Sequence, residues 1–129
     1  YALDCLALQR ETDVHAVAHI TGGGLAGNLA RVIPHGPTAH LDRRAWTPLP
    51  VFGYIAARGR VERAEMDKTF NMGIGMVAVV SADDADRALA VLTARHIPSV
   101  TLGTIEKPGA ADGAVDAPRV VLTGEHPKF

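Results

Sequence analysis

Cysteine is almost missing from this chain of 129 residues: Cys5 stands alone, so no internal disulfide can form and no cysteine-rich zinc site can be built. That scarcity fits a reducing compartment, and a cytoplasmic location is expected. Aromatic residues are sparse at 5%, and Lys+Arg 13 against Asp+Glu 14 leave a net charge of -1. With no basic stripe interleaved with aromatics, nucleic acid is not an expected partner. No run reaches the roughly 18 apolar residues of a membrane helix, and the N-terminus has no basic region leading into an apolar core. Neither a membrane partner nor an export leader is expected. The chain also lacks an initiating Met and opens inside a helical pattern of Leu3, Leu6, Ala7 and Arg10. We therefore expect a piece of a longer protein. What the chain does hold is 47% hydrophobic residues, enough to supply the core of one domain.

Helix and strand signals alternate, which makes the expected class α/β or α+β, a mixed sheet packed with helices. Residues 2–11 read as a helix, and Val14 to Ile20 as a strand. A short helix runs from Gly24 to Ile33 and is stopped by Pro34. Thr38 to Asp42 reads as a strand. Thr47-Pro48 supplies a cap and first position for a helix ending near Gly59, with Val51, Phe52, Ile55 and Ala56 as its buried face. Glu62 to Thr69 adds two turns of helix. Met76 to Val80 is apolar at every position, the pattern of a strand covered on both faces. Ser81 with Asp84 makes a capping-box pattern before a helix of Ala85, Ala88, Leu89 and Leu92 that runs to about Arg95. Ser99 to Ile105 and Arg119 to Thr123 read as closing strands, separated by a Gly/Pro/Asp-rich loop over Lys107 to Ala117.

The densest signal is Thr21-Gly22-Gly23-Gly24-Leu25-Ala26-Gly27-Asn28, where a strand stops at three glycines and a helix begins. Glycines let backbone N–H groups approach a ligand, and a helix N-terminus favours negative charge. The segment matches G-x-G-x-x-G, with Asp42 ending the next strand, so a dinucleotide, a free phosphate and a bare structural turn all remain open. Against the dinucleotide stand the short following helix, the two histidines in the preceding strand, and a chain too short for a full doubly wound sheet. Three successive glycines carry an entropic cost that a turn alone does not require, which favours an anion site.

His15 and His19 share a strand face but lie roughly 13 Å apart at about 3.3 Å per residue, too far for one metal ion. No metal ligand is expected. His19 adjoins the glycine turn and can orient it or touch an anion. His35, His40, His96 and His126, in turn-like or terminal settings, receive no role. A second turn, Phe70-Asn71-Met72-Gly73-Ile74-Gly75-Met76, offers Asn71, whose carboxamide carries both donor and acceptor. No Ser-His-Asp arrangement and no close carboxylate pair can be argued from spacing, so no catalytic residue is assigned.

Together, His19-Ile20-Thr21-Gly22-Gly23-Gly24, Asn28-Leu29-Ala30-Arg31-Val32-Ile33-Pro34 and Glu65-Met66 leading into Thr69-Phe70-Asn71-Met72-Gly73-Ile74-Gly75-Met76 closely resemble the C-terminal domain of the phosphoribosylformylglycinamidine cyclo-ligase (aminoimidazole ribonucleotide synthetase) family. The resemblance runs in order along essentially the whole chain. Family members often carry Glu where this chain has Gly27 and Pro where it has Ala30. The resemblance implies a ligase of purine biosynthesis that uses ATP and Mg²⁺ to convert formylglycinamidine ribonucleotide to aminoimidazole ribonucleotide. It also implies an N-terminal domain, outside this chain, that mediates homodimerisation and supplies most ATP and metal contacts. Residues 1–129 would then be the C-terminal half, inactive alone and binding neither cofactor by itself. In that setting Thr21, Gly22, Gly23, Gly24, His19 and Asn28 are the expected substrate-phosphate residues, and Asn71, Gly73 and Gly75 line the same cleft. Sister enzymes of the superfamily, such as formylglycinamidine ribonucleotide synthetase, selenophosphate synthetase and thiamine monophosphate kinase, remain alternatives, as does a non-catalytic anion-binding module.

Overall fold

The computed structural model describes residues 1–107 and 119–127, and among them stand two small sheets and five α-helices. Helix α1 (Ala2–Glu11) leads into strand β1 (Val14–His19), followed by α2 (Gly24–Leu29) and β2 (Thr38–Asp42). A 3-10 turn, Arg43–Ala45, precedes α3 (Pro50–Gly59) and α4 (Arg63–Thr69). Then come β3 (Met76–Val80), a 3-10 turn at Ala82–Asp84, α5 (Ala85–Ala94), β4 (Gly103–Glu106) and β5 (Arg119–Thr123). The fold is α+β. The first sheet is an antiparallel ribbon of β1 and β3. The second is mixed, with β2 in the middle, antiparallel to β4 and parallel to β5. The loop expected over Lys107 to Ala117 lies, beyond Lys107, outside the described residues.

The core lies where α2 meets both sheets. Ala18 and Ile20 from β1 and its exit, Leu25 and Leu29 from α2, Ala39 and Leu41 from β2, Trp46 and Val77 form one buried cluster. Burying a side chain such as Ile20 or Leu29 stabilises by about 1.5–3 kcal/mol. Leu8, Ala88 and Val91 form a smaller cluster between α1 and α5. It sits at the opposite end of the β1–β3 ribbon, where Val14 pairs with Val80.

Several boundaries differ from the sequence reading for local reasons. Helix α3 starts at Pro50 rather than Pro48, because a residue before proline is pushed out of helical geometry. Leu49, between two prolines, is accordingly extended (φ -61, ψ 146). Its expected buried face is only half-covered: no residue of α3 is fully buried, and Val51 is 50% exposed. Phe52 instead meets Phe70 edge to face, ring centroids 5.9 Å apart. Helix α2 stops at Leu29 because the chain tightens, with Arg31 and Val32 donating to the Asn28 and Leu29 carbonyls, before Pro34 forbids continuation. The Ser81 hydroxyl does not cap α5. The Asp84 carboxylate turns instead to the Asp13 N–H at 2.7 Å and joins the start of α5 to that of β1. The closing strand begins at Gly103, not Ser99, where it comes beside the His40 backbone. Strand β3 is covered unevenly: Val77 is buried, Ala78 is exposed, and Met76, Val79 and Val80 are half-buried. Among the described residues it pairs with β1 alone, so an all-apolar run here marks a ribbon, not a central strand.

Candidate functional site

Ribbon register brings the two glycine turns together. His19 pairs with Met76 at the end of the ribbon, and one step on, the Ile20 N–H donates to the Gly75 carbonyl at 2.9 Å. The chain therefore leaves β1 into the first turn beside the point where the second turn enters β3. Buried Ile20 anchors this junction, while Thr21, Gly22 and Gly23 are exposed.

The three glycines do different work. Gly23 caps α2 in the left-handed region (φ +100), and Gly24 follows there (φ +67). A Cβ on Gly24 would run into the Asp67 carbonyl oxygen, so glycine is what lets the turn pack against the backbone of α4. Gly22 has neither constraint: its φ is not left-handed, and nothing lies within 4 Å of a Cβ built on it. Packing alone does not demand glycine at 22. Among the described residues, the N–H groups of Gly22 and Gly23 make no hydrogen bond to the protein, whereas Gly24 N–H donates to the Thr21 carbonyl at 3.1 Å. Two backbone donors thus face away from the fold's own hydrogen bonding, ahead of a helix start that favours an anion.

Asn28 closes this turn from within. Its side chain is buried (5% exposed), and its Nδ2 donates to the carbonyls of Thr21 and Gly22 at 3.2 Å each and of Gly24 at 2.8 Å. Its Oδ1 accepts from Arg31 at 3.5 Å. Asn28 therefore holds the loop whose backbone faces outward. His19, at the exit of β1, is exposed.

In the second turn Met72 (φ +51) and Gly73 (φ +96) are both left-handed. Asn71 stabilises that reversal twice, its Oδ1 accepting from Gly73 N–H and its carbonyl from Ile74 N–H, each at 3.0 Å. The amide Nδ2 of Asn71 makes no hydrogen bond among the described residues, so donation is the function it has to spare. Gly75 lies under the Tyr1 ring, whose hydroxyl occupies the place of a Cβ.

Behind both turns stands a polar cluster that sequence reasoning missed. Arg43, in the 3-10 turn after β2, pairs with Asp67 of α4 through Nε at 3.0 Å and a terminal nitrogen at 2.7 Å. His126 is buried (6% exposed) beside this pair. Its Nδ1 donates to the Arg43 carbonyl at 3.0 Å, and its ring meets Trp46 edge to face with centroids 4.5 Å apart. Burial holds the His126 imidazole below the ordinary histidine value, outweighing the Arg43 and Trp46 backbone and the Asp67 carboxylate, which favour the charged form. Trp46 in turn donates its indole N–H to the Met72 carbonyl at 2.9 Å. Nothing local in the sequence signals this, because the partners come from three separate stretches, residues 43–46, 67–72 and 126.

Among the described residues no three His, Cys, Asp or Glu side chains gather as a metal-ligand set. His15 pairs with Asp13 at 3.0 Å, away from the glycine turns. A groove of 530 Å³ lies between α1 and α5, lined by Glu11, Arg87 and Arg95 among others, and no residue of either glycine turn borders it.

The model of the family described as AIR synthase related protein, C-terminal domain, matches residues 1–116. A Streptomyces fradiae protein, provisionally named phosphoribosylformylglycinamidine cyclo-ligase, is 54% identical over 126 residues, covering 98% of this chain and 68% of its own length. The phosphoribosylformylglycinamidine cyclo-ligase of Anaeromyxobacter dehalogenans is 44% identical over 119 residues, and that of Paraburkholderia phymatum is 46% identical over 107. This chain spans 34% and 30% of the length of those two relatives.

Proposed function

The chain belongs to the AIR synthase related protein C-terminal domain family, and from that premise we propose that it forms one wall of the active site of an ATP-dependent cyclo-ligase of purine biosynthesis. The reaction is closure of the imidazole ring of aminoimidazole ribonucleotide from formylglycinamidine ribonucleotide. The related-protein family is broader than one activity, and the shared cyclo-ligase names of the relatives favour this reading over the sister enzymes.

The chemistry explains what the wall is for. An amide oxygen leaves poorly until ATP phosphorylates it. The amidine nitrogen then attacks the activated carbon, the C–O bond breaks, and inorganic phosphate and a proton depart, leaving ADP from the first transfer. Each step needs the substrate's ribose phosphate held fast while its distal end folds on itself. The observation that carries the reading is the exposed backbone of Gly22 and Gly23, with two unspent N–H donors, beside the Asn71 turn. In this reading Thr21 to Gly24 hold the ribose phosphate, His19 borders it, and Asn71, Gly73 and Gly75 shape the adjacent cleft. Mg²⁺, when bound, would neutralise phosphate charge. In this reading the ATP and metal contacts come from the N-terminal domain, which would also build the homodimer. No helix among the described residues is long and apolar enough to cross a membrane, and a cytoplasmic location belongs to the same proposal.

Gly22 provides the test, because a Cβ there meets no described heavy atom within 4 Å beyond its chain neighbours. In the full-length enzyme, Gly22→Val should weaken formylglycinamidine ribonucleotide binding by calorimetry while the melting temperature stays unchanged. Equal affinity in the variant would remove the phosphate assignment. Failure of the full-length parent to form aminoimidazole ribonucleotide with ATP would shift the reading to the sister enzymes.

A further inference from the structure

Besides the direct Ile20–Gly75 junction, a second set of contacts links the two glycine turns through His126 and its neighbours. Asp67 belongs to the α4 backbone segment on which Gly24 rests. Its carboxylate holds Arg43 at 2.7 Å and faces the His126 Nε2 across 4.0 Å. The His126 ring abuts the Trp46 indole, and the indole N–H fixes the Met72 carbonyl. Met72 is the residue whose left-handed backbone (φ +51) reverses the second turn. A side chain other than glycine adopts that geometry only when its surroundings hold it there. One path of contacts therefore runs from the floor of the first turn to the carbonyl that shapes the second.

We propose that His126 is a positioning residue for this site: its buried ring sets the Trp46 indole, and through it the Met72 carbonyl, so that the second glycine turn is fixed relative to the first. The inference rests on the cleft reading above for its functional meaning, but not for its geometry. Among the described residues, the charged groups facing His126 are the Asp67 carboxylate of α4 and the Arg43 guanidinium of the 3-10 turn. Protonation places a cation against a pair that is already matched, so it competes with Arg43 for Asp67 and displaces the ring from the indole. The polar contact at Nδ1 also pins the chain end, because the same Arg43 that receives it donates to the Gly124 carbonyl at 3.3 Å.

Trp46 is the only tryptophan of the chain, which makes both its fluorescence and its indole N–H resonance single-site reporters. The experiment is a proton–nitrogen NMR titration of the 129-residue chain from pH 8 to pH 5. The Trp46 indole N–H and the Gly73 and Ile74 amides should shift together, with one midpoint below the ordinary histidine value of about 6.5. Trp46 fluorescence should fall with the same midpoint. In His126→Gln that shared step should vanish. In Trp46→Phe the ring resonances of His126 should still titrate while Gly73 and Ile74 stay still. Gly73 and Ile74 amides that ignore the His126 titration in the parent chain would overturn the proposal, and so would an unaltered step in His126→Gln. The parent titration alone decides if either variant fails to fold. Addition of formylglycinamidine ribonucleotide to the full-length enzyme separates the two readings. If neither turn responds to it while Gly73 still follows His126, the cleft assignment fails and the positioning role stands.

Discussion

Replacement of Asn28 by alanine distinguishes a residue that builds the first glycine turn from one that touches the proposed phosphate. The amide has two N–H groups for three carbonyls, so one bond is shared between the acceptors at 3.2 Å while the one at 2.8 Å to Gly24 is buried. Thr21 and Gly22 are exposed, and water replaces the lost donor there at small cost. The Gly24 carbonyl and the vacated space beneath it are where the loss concentrates. A buried hydrogen bond lost without a substitute costs about 1–3 kcal/mol, and we expect about 2 kcal/mol for Asn28→Ala. At roughly 3–5 °C per kcal/mol for a domain of this size, the melting temperature should fall by about 6–10 °C. Asn28→Asp sharpens the test, because an ionised carboxylate presents acceptors to acceptors. It should melt below the alanine variant at pH 7 and regain part of the difference at about pH 4, near the ordinary carboxyl value, where a protonated carboxyl again donates. Circular-dichroism melts of the three chains at both pH values measure this. A melting temperature for Asn28→Ala within about 2 °C of the parent, combined with weakened substrate binding, would refute the loop-building role and return Asn28 to direct ligand contact.

The glycines themselves should divide in the same way. Gly24→Ala places a methyl group against the Asp67 carbonyl at a left-handed φ of +67, so urea unfolding should show a loss above about 3 kcal/mol or no folded protein at all. Gly22→Ala should lie within about 0.5 kcal/mol of the parent. Acid should weaken the fold through His126, with a sign fixed by burial. Its folded value lies below its ordinary one, so the unfolded chain takes up the proton first as pH falls. The contribution is complete above about pH 6.5 and is lost as pH drops from there toward the folded value. Urea midpoints at pH 7.5 and pH 5.5 should differ less in His126→Gln than in the parent, and an equal difference would place the acid sensitivity elsewhere.

Secondary structure was legible where the sequence signal is local. The runs Val14 to His19, Thr38 to Asp42, Met76 to Val80 and Arg119 to Thr123 appear as strands because β-branched and small apolar residues between turn formers favour extended chain. Helix starts next to prolines were less so. Thr47-Pro48-Leu49-Pro50 offers two first-turn prolines, and only the restriction each places on its predecessor selects Pro50. Burial was least legible, since the face a segment covers depends on neighbours far along the chain. The apolar stripe of α3 and the run of β3 both predict more cover than residues 1–107 and 119–127 supply.

For the site, the same limit separates the turns from their support. A glycine run is written in consecutive residues, so Thr21 to Gly24 and Asn71 to Gly75 could be picked out from sequence, and ribbon register then joins them through Ile20 and Gly75. What a glycine is for could not be picked out. Gly24 answers to the α4 backbone and Gly23 to its own left-handed geometry, whereas no packing or dihedral requirement in the fold accounts for Gly22. The distinction depends on Asp67, which lies more than forty positions away in sequence. His126 is the extreme case. Read as one of six histidines near a chain end, it has no distinguishing neighbour; placed between Arg43, Asp67 and Trp46, it stands behind both turns at once. A ligand site that exposes bare backbone must be held rigid by side chains behind it, and those side chains are free to come from any part of the chain that packing brings near.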